Sequence, residues 1–387
     1  MHAWRTALFT VKGLRRFLKD GYEHHAKAYE PRDLEADLTG KQTLVTGANQ
    51  GLGYATALAL ARRGASVRLV CRNAERGEKA VQSIKTDAEV AARGNTNIFL
   101  SVADLGLVSH VNRVADEYLA SGLPLHVLVN NAGALIDPRT ETEEGLGALR
   151  GVASLLRAEH VSPLLSLFSH PPPSLTECNF AVNTVGAYLL TERLLPVLRT
   201  STPSRVITVS SGGMYTEELL SEDMQWAKEG GFTGARQYAR DKRRQVALTE
   251  RWAAQPANAG VTFVSMHPGW ADTDAVRTSL PQFYDSLKPK LRSPEQGADT
   301  LVWTCVVPET KLQSGAFYFD RRAVSKHLAL GGTGYGPEKA DKVAAALAAV
   351  VEETLKRNAA REAAAGKASE GAAEGAGAAA GTAAVEA

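Results

Sequence analysis

A phenol and an ammonium stand four positions apart in Tyr238-Ala239-Arg240-Asp241-Lys242. On a helix, positions i and i+4 share a face, so the two groups would meet. A phenol titrates at about 10 and is a poor base at neutral pH. A cation beside it favours the phenolate and brings proton transfer within working range. At the end of an apolar run upstream, Ser210-Ser211-Gly212-Gly213 offers hydroxyls able to hydrogen-bond a substrate oxygen. The set suits proton transfer at a carbonyl or alcohol oxygen. A Tyr and a Lys one turn apart also occur on ordinary surface helices, so the pair alone decides little.

A second motif supplies what such chemistry lacks. Thr46-Gly47-Ala48-Asn49-Gln50-Gly51-Leu52-Gly53 follows the first apolar run and precedes an Ala-rich helical stretch. Gly47 permits a tight turn, Gly51 lets the backbone approach a diphosphate, and Gly53 lets helix pack closely on strand. The helix N-terminus then presents oriented N–H groups to the phosphates. The spacing is G-x-x-x-G-x-G rather than G-x-G-x-x-G, and a ligand-free Gly-rich turn has the same composition. At the end of the second apolar run the chain reads Cys71-Arg72-Asn73, with no acid before Glu75. An acid there would take the ribose hydroxyls of NAD, whereas Arg72 can accept the 2′-phosphate of NADP. NADP(H) is therefore favoured over NAD(H), the alternative being that Arg72 is a solvated strand-end charge.

The elements that must position these groups are legible as periodicity. Short apolar runs at Leu44-Val45, Val67-Arg68-Leu69-Val70, Ile98-Phe99-Leu100, Val127-Leu128-Val129, Val206-Ile207-Thr208-Val209, Val261-Thr262-Phe263-Val264 and Phe317-Tyr318-Phe319 alternate with helical stretches. That alternation predicts an α/β fold with a doubly wound parallel sheet covered on both faces. One domain over residues 40–357 accounts for it. Residues 358–387, almost wholly Ala, Gly and Glu, cannot bury enough surface to offset their ordering entropy and are expected to be disordered. Residues 147–177 interrupt the alternation and contain Pro171-Pro172-Pro173.

Composition narrows the function classes. The 387 residues are 44% hydrophobic and 22% charged, as in a soluble globular protein, and a net charge of +2 offers no footprint for nucleic acid. Cys71, Cys178 and Cys305 lie far apart without a C-x-x-C pair, which argues for structural thiols in a reducing compartment and against zinc or disulfides. His267, beside Pro268, reads as a packed side chain, and no metal site is expected. Residues 1–39 form an N-terminal segment in which residues 2–19 lack any acid and set Trp4, Leu8, Val11, Leu14 and Leu18 at near-helical spacing among Arg and Lys. This amphipathic helix could pack on the domain, lie on a membrane surface or serve as a mitochondrial presequence; the scattered cations argue against a secretory signal. An intracellular, cytoplasmic location is expected, with mitochondrial or membrane-surface association as the alternatives.

Taken together, the pieces resemble the short-chain dehydrogenase/reductase superfamily over about residues 40–330. They are residues 46–53, Asp104-Leu105, Asn130-Asn131-Ala132-Gly133, Asn183, Ser211, Tyr238 with Lys242, and Pro268-Gly269, in that order. The resemblance implies a Rossmann-type fold and roles for individual residues. Tyr238, Lys242, Ser211 and Asn183 form the catalytic set, the second serine of the pair being the family's choice. Asn183 would anchor a water in a proton relay through Lys242, which also contacts the nicotinamide ribose. Thr46, Gly47, Asn49, Gly51, Leu52 and Gly53 would cradle the cofactor. Asp104 would meet the adenine ring, with Leu105, Asn130, Ala132 and Gly133 along the groove and Pro268, Gly269 and Thr273 bordering the nicotinamide. A narrower resemblance to one poorly defined group within the superfamily rests on residues 206–214, 238–252 and 266–273. Related enzymes form dimers or tetramers, so a homo-oligomer is implied.

Two departures stand out. Ser211 and Tyr238 are 27 positions apart, a long gap flanked by Gly212-Gly213 and Gly230-Gly231, which reads as a substrate cover or else a surface excursion. Without residues 147–176 the flanking sequence would be continuous in the family's manner, so that segment is a translated non-coding stretch or a lineage-specific insertion. It enters at the cofactor edge, where it could displace Asn183. The expected activity is an NADP(H)-dependent oxidoreductase transferring hydride between nicotinamide and an apolar carbonyl or secondary alcohol. The alternatives are a non-catalytic NADP(H)-binding or interaction protein and an epimerase or dehydratase.

Overall fold

The computed structural model describes residues 2–142, 144, 176–228 and 230–382. Its centre is an eight-stranded sheet. The strands are β1 (Gln42–Thr46), β2 (Ser66–Cys71), β3 (Ile98–Val102), β4 (Val127–Asn130), β5 (Ser204–Val209), β6 (Val261–Met266), β7 (Phe317–Phe319) and β8 (Arg322–Val324). Their order across the sheet is β3-β2-β1-β4-β5-β6-β7-β8. All pairs are parallel except β7 with β8. The seven apolar runs are the seven parallel strands, and β8 is an addition that the short, polar sequence Arg322-Ala323-Val324 did not announce. Strand order reverses between β1 and β4, and at such a switch point the strand C-termini open a crevice. Thr46 and Asn130 end the two strands that flank it.

The helices that matter here are α1 (His2–Arg16), α2 (Lys19–Ala26), α3 (Gly51–Arg62), α4 (Ala74–Lys85), α5 (Val108–Ala120), α6 (Ala187–Thr200), α7 (Gly234–Ala254), α8 (Asp274–Ser279), α9 (Pro281–Leu287), α10 (Pro294–Val306) and α11 (Pro337–Thr382). Helices α3 and α10 share the core on one face of the sheet with Leu60, Leu69, Val264 and Leu301. Helices α5, α6 and α7 cover the other face, where Leu190, Leu194, Leu248, Trp252 and Phe263 are buried. Each such side chain contributes about 1.5–3 kcal/mol on burial. These two layers are what hold the strand ends still.

Helix α11 first packs Val343, Ala344, Leu347 and Val351 into that second layer. It then continues to Thr382, through the segment whose composition argues for disorder from residue 358. Alanine is the best helix former, so helical backbone there needs no buried face. The proposed insertion falls almost wholly outside the described residues, but its rim does not. Thr142 N–H donates to the Thr176 carbonyl at 2.9 Å and Cys178 N–H to the Thr140 carbonyl at 2.9 Å. Glu141 and Glu177 thus pair as an antiparallel bridge, and the chain leaves and re-enters side by side.

The N-terminal segment is seated on the domain by its one fully buried ring. Phe17 lies edge-on to His267 (4.7 Å between centroids), Trp270 (5.7 Å) and Phe319 (5.1 Å). The Trp270 N–H donates to the Phe17 carbonyl at 2.8 Å, and Arg292 donates to the Arg16 carbonyl at 2.9 Å. The other side of α1 keeps Trp4, Val11 and Leu14 about half exposed, at 54%, 59% and 50%. Among the described residues no helix is long and apolar enough to cross a membrane.

Candidate active site

The glycine turn is built from the switch point upward. Thr46 Oγ1 accepts from the N–H groups of Asn131 and Ala132, both at 3.0 Å, which ties the end of β1 to the segment after β4. Asn131 returns its amide to the Thr46 carbonyl at 2.8 Å. Gly47 has φ +64, and a Cβ there would stand 3.0 Å from Ala132 Cα. At Gly53 a Cβ would lie 2.3 Å from the Gly47 carbonyl oxygen, so only glycine lets α3 start this close to the turn. The result is an uncovered helix N-terminus with room for a diphosphate.

From this turn one cleft of about 810 Å³ runs past Cys71, Arg72 and Asp104 in one direction and past Gly133, Ser211, Tyr238 and Lys242 in the other. Asn49, Gly51, Leu52, Leu105, Ala132, Pro268, Gly269 and Thr273 also line it. Its volume and lining leave room for a dinucleotide. Two residues expected at the groove, Thr46 and Asn130, stand behind its wall instead, as does Asn183, the expected anchor of a relay water. Thr46 is the strut just described. Asn130 points into the core, where its amide donates to Thr191 Oγ1 at 2.8 Å; alternation along β4 puts its side chain on the covered face and leaves the groove to Asn131. Asn183 is fully buried and clamps the loop after β4, accepting from Ala134 N–H at 2.9 Å and donating to the Ala134 carbonyl at 2.8 Å.

The excursion before Asn183 has not displaced it. Glu177 caps the returning helix by accepting from Asn179 and Phe180 N–H groups at 2.9 and 2.8 Å. Asn179 pairs with both backbone groups of Ile136, at 2.7 and 2.9 Å. A π-helical turn over Ala181–Gly186 then presents the Asn183 carbonyl toward α7. A Cβ on Gly133 would be 3.1 Å from Asn183 Oδ1 and 3.3 Å from Lys242 Nζ, so the three meet at one point.

The two serines divide their labour. Ser210 Oγ donates to the Lys242 main-chain carbonyl at 2.8 Å, bracing α7 against β5. Ser211 faces the cleft, as does the Tyr238 phenol. Burial pushes that phenol up to about 12; Ser211 opposes the rise and the charge of Asp241 adds to it. Burial brings the Lys242 ammonium down to about 8, against the pull of Asp241. Lys242 Nζ lies 5.4 Å from the Tyr238 ring centroid and donates to the Val209 carbonyl at 2.7 Å and to Gln245 Oε1 at 3.1 Å. In this state the phenol keeps its proton, and the site is poised as an acid.

At the adenosine end, the Arg72 side chain is 76% exposed and lies 3.6 Å from Asp104 Oδ2. Asp104 Oδ1 accepts from Gly106 N–H at 2.8 Å. Asn73 caps α4, and Arg76, in the first turn of that helix, enters the same cleft. Arg76 was not singled out from sequence, although it sits one turn beyond Arg72. His267 is buried and stacked on Phe319 at 4.1 Å, its Nδ1 accepting from Gly269 N–H at 3.2 Å; burial and the Arg292 charge hold it neutral.

The long segment between Ser211 and Tyr238 is packed rather than poised over the mouth. Met214, Tyr215, Leu219 and Trp226 are buried, and among the described residues only Gly213 and Thr216 before α7 reach the cleft. The mouth is covered by elements that the motifs did not identify: Phe9 and Leu14 of α1, and Leu280, Phe283 and Leu287 at α8 and α9. Phe283 lies edge-on to Trp270 at 5.1 Å.

Comparison with known proteins agrees with this geometry. A family model described as short chain dehydrogenase matches residues 41–148. Dehydrogenase/reductase SDR family member 12 from Bos taurus is 40% identical over 90% of this chain and 98% of its own length. Retinol dehydrogenase 11 from Homo sapiens is 30% identical, covering 73% of this chain and 78% of that protein. Among solved structures, an uncharacterized protein from Mycobacterium paratuberculosis matches with a TM-score of 0.56 at 23% identity, covering 83% of this chain and 95% of that one.

Proposed function

The chain belongs to the short-chain dehydrogenase/reductase family as an oxidoreductase, and within that family we propose that it reduces apolar carbonyl compounds with NADPH. The observation that carries the reading is the convergence of Ser211, Tyr238 and Lys242 in the same cleft as the glycine turn, with Lys242 Nζ 5.4 Å from the Tyr238 ring centroid. A nicotinamide, when bound, would supply the hydride to the carbonyl carbon. Ser211 holds and polarises the carbonyl oxygen. Tyr238 gives that oxygen its proton as it becomes a hydroxyl, and the Lys242 ammonium stabilises the phenolate left behind. The phenolate recovers its proton from solvent, closing the cycle.

Preference for NADPH is supported by Arg72 and Arg76 at the end of β2 and the start of α4, with no acid at the strand end before Glu75. An apolar substrate is supported by Phe9, Leu14, Trp270, Leu280, Phe283 and Leu287 around the mouth. The half-exposed Trp4 and Val11, with Arg15, Arg16 and Lys19 nearby, support peripheral contact with an anionic membrane surface from which such a substrate could be drawn. Self-association into a homo-oligomer is part of the same proposal and is read from light scattering. The test of function follows NADPH absorbance with a panel of apolar aldehydes and ketones. Tyr238→Phe should lower turnover by about 10²–10⁴-fold with cofactor binding retained. Unchanged turnover in that variant would refute the assigned acid, and tight NADPH binding without turnover on any carbonyl would favour a binding protein.

A further inference from the structure

Gln245 lies on α7, three residues beyond Lys242, and is buried. Its side chain makes two bonds of opposite sense. Oε1 accepts from Lys242 Nζ at 3.1 Å, and Nε2 donates to the Asn183 main-chain carbonyl at 2.6 Å. The bond to the carbonyl fixes which end of the amide faces which partner, since only Nε2 can donate there. Asn183 in turn clamps the loop that carries Gly133 and Ala134 along the cleft. The Lys242 ammonium is thereby tied to the cofactor wall through one rigid amide.

We propose that Gln245 is a positioning residue that fixes the Lys242 ammonium against the Asn183 carbonyl, so that one buried amide sets both the place and the charge of the cation beside Tyr238. This rests on the reductase reading above.

The consequence is specific. Oε1 stabilises the charged form of Lys242, so its loss should make the ammonium easier to deprotonate. Among the described residues, the titratable groups bearing on Lys242 are Tyr238 and Asp241, both on its own helix. The elements packed against it offer Gly133, Asn183 and the Val209 carbonyl, none of which titrates. Asp241, four residues before Gln245 and so on the same face of α7, is held by Thr184 and Arg244 at 2.8 Å each.

Two variants separate positioning from packing. Gln245→Met keeps the length and removes both bonds. Gln245→Glu keeps the shape, gives up the donor to the Asn183 carbonyl and puts a carboxylate against the ammonium. The alkaline limb of the pH profile for carbonyl reduction should move toward acid in Q245M and toward alkali in Q245E, each by about one pH unit. Turnover in Q245M should fall about tenfold with the carbonyl KM little changed. The same limb is read without turnover from the pH dependence of NADPH binding by fluorescence, so absence of activity in the parent protein would sink the reductase reading and leave this measurement standing. If Q245M does not fold, the shape-preserving Q245E carries the test alone. Limbs that stay in place, or that move the same way in both variants, would overturn the proposal and leave Gln245 as packing.

Discussion

Phe17→Ala tests how far the cleft depends on a segment that precedes the domain. The ring is fully buried, lies within 6 Å of the ring centroids of His267, Trp270, Phe319 and Phe9, and belongs to the only stretch joining α1 to α2 among the described residues. Truncating a buried phenylalanine costs about 3–5 kcal/mol when the cavity cannot collapse. Collapse is opposed here because His267 is stacked on Phe319 and held by Gly269 N–H. At about 2–4 °C per kcal/mol for a domain of 150–250 residues, the melting temperature should fall by roughly 6–20 °C. The functional reading is sharper. Phe17 supports the Pro268–Trp270 turn and the α1 wall, both at the substrate end, and touches nothing at the glycine turn. The carbonyl KM should therefore rise severalfold while NADPH affinity stays near the parent value. Thermal melts with and without NADPH, and steady-state kinetics with an apolar aldehyde, give both quantities. A melt within about 2 °C of the parent, or NADPH affinity lost in step with the carbonyl KM, would refute the reasoning.

Ser211→Ala should lower turnover by about 10²-fold or more with stability retained, because its hydroxyl faces substrate; Ser210→Ala should cost about 1 kcal/mol in a thermal or urea melt and leave the catalytic hydroxyl in place. Arg72→Ala with Arg76→Ala should raise the NADPH KM about ten- to hundredfold and leave the NADH KM nearly unchanged, as loss of charged phosphate contacts requires. In a vesicle flotation assay the parent should associate with phosphatidylserine-containing vesicles and release as salt rises, with Trp4→Ser and Val11→Ser weakening association in the absence of any loss of cofactor binding; flotation indifferent to both changes would remove the membrane proposal.

Much of the architecture was visible as alternation, because buried parallel strands need short β-branched runs and these stand out between helical stretches. The glycine turn was visible for a local reason: φ +64 at Gly47 and a 2.3 Å approach at Gly53 admit no other residue. Tyr238 and Lys242 were legible because helical spacing brings them together before any tertiary contact forms. What failed to show were consequences of distance. Asn130 looks like a groove residue in its motif, and only the pairing of β4 decides that its amide meets Thr191. Gln245 is an unremarkable glutamine until the π-helical turn brings the Asn183 carbonyl against it. The cover over the mouth comes from Phe9, some two hundred residues from the catalytic helix in sequence, and from the short helices α8 and α9, where no periodic signal is long enough to read. The expectation of a cover between Ser211 and Tyr238 misjudged Met214, Tyr215 and Trp226, which are core residues.

The bridge between Glu141 and Glu177 has a practical consequence. Because its two ends are held one strand-spacing apart, the chain between them is topologically a tether returning to its own anchor. Doubling or halving such a tether alters closure entropy by only about 0.6 kcal/mol. The Glu177 cap, on the domain side of the anchor, isolates the helix bearing Asn183 from whatever the tether carries. Changes of length beyond Glu144, whose carboxylate accepts from the Val108 and Ser109 N–H groups at 2.8 Å, should therefore leave the machinery a few residues downstream in alignment.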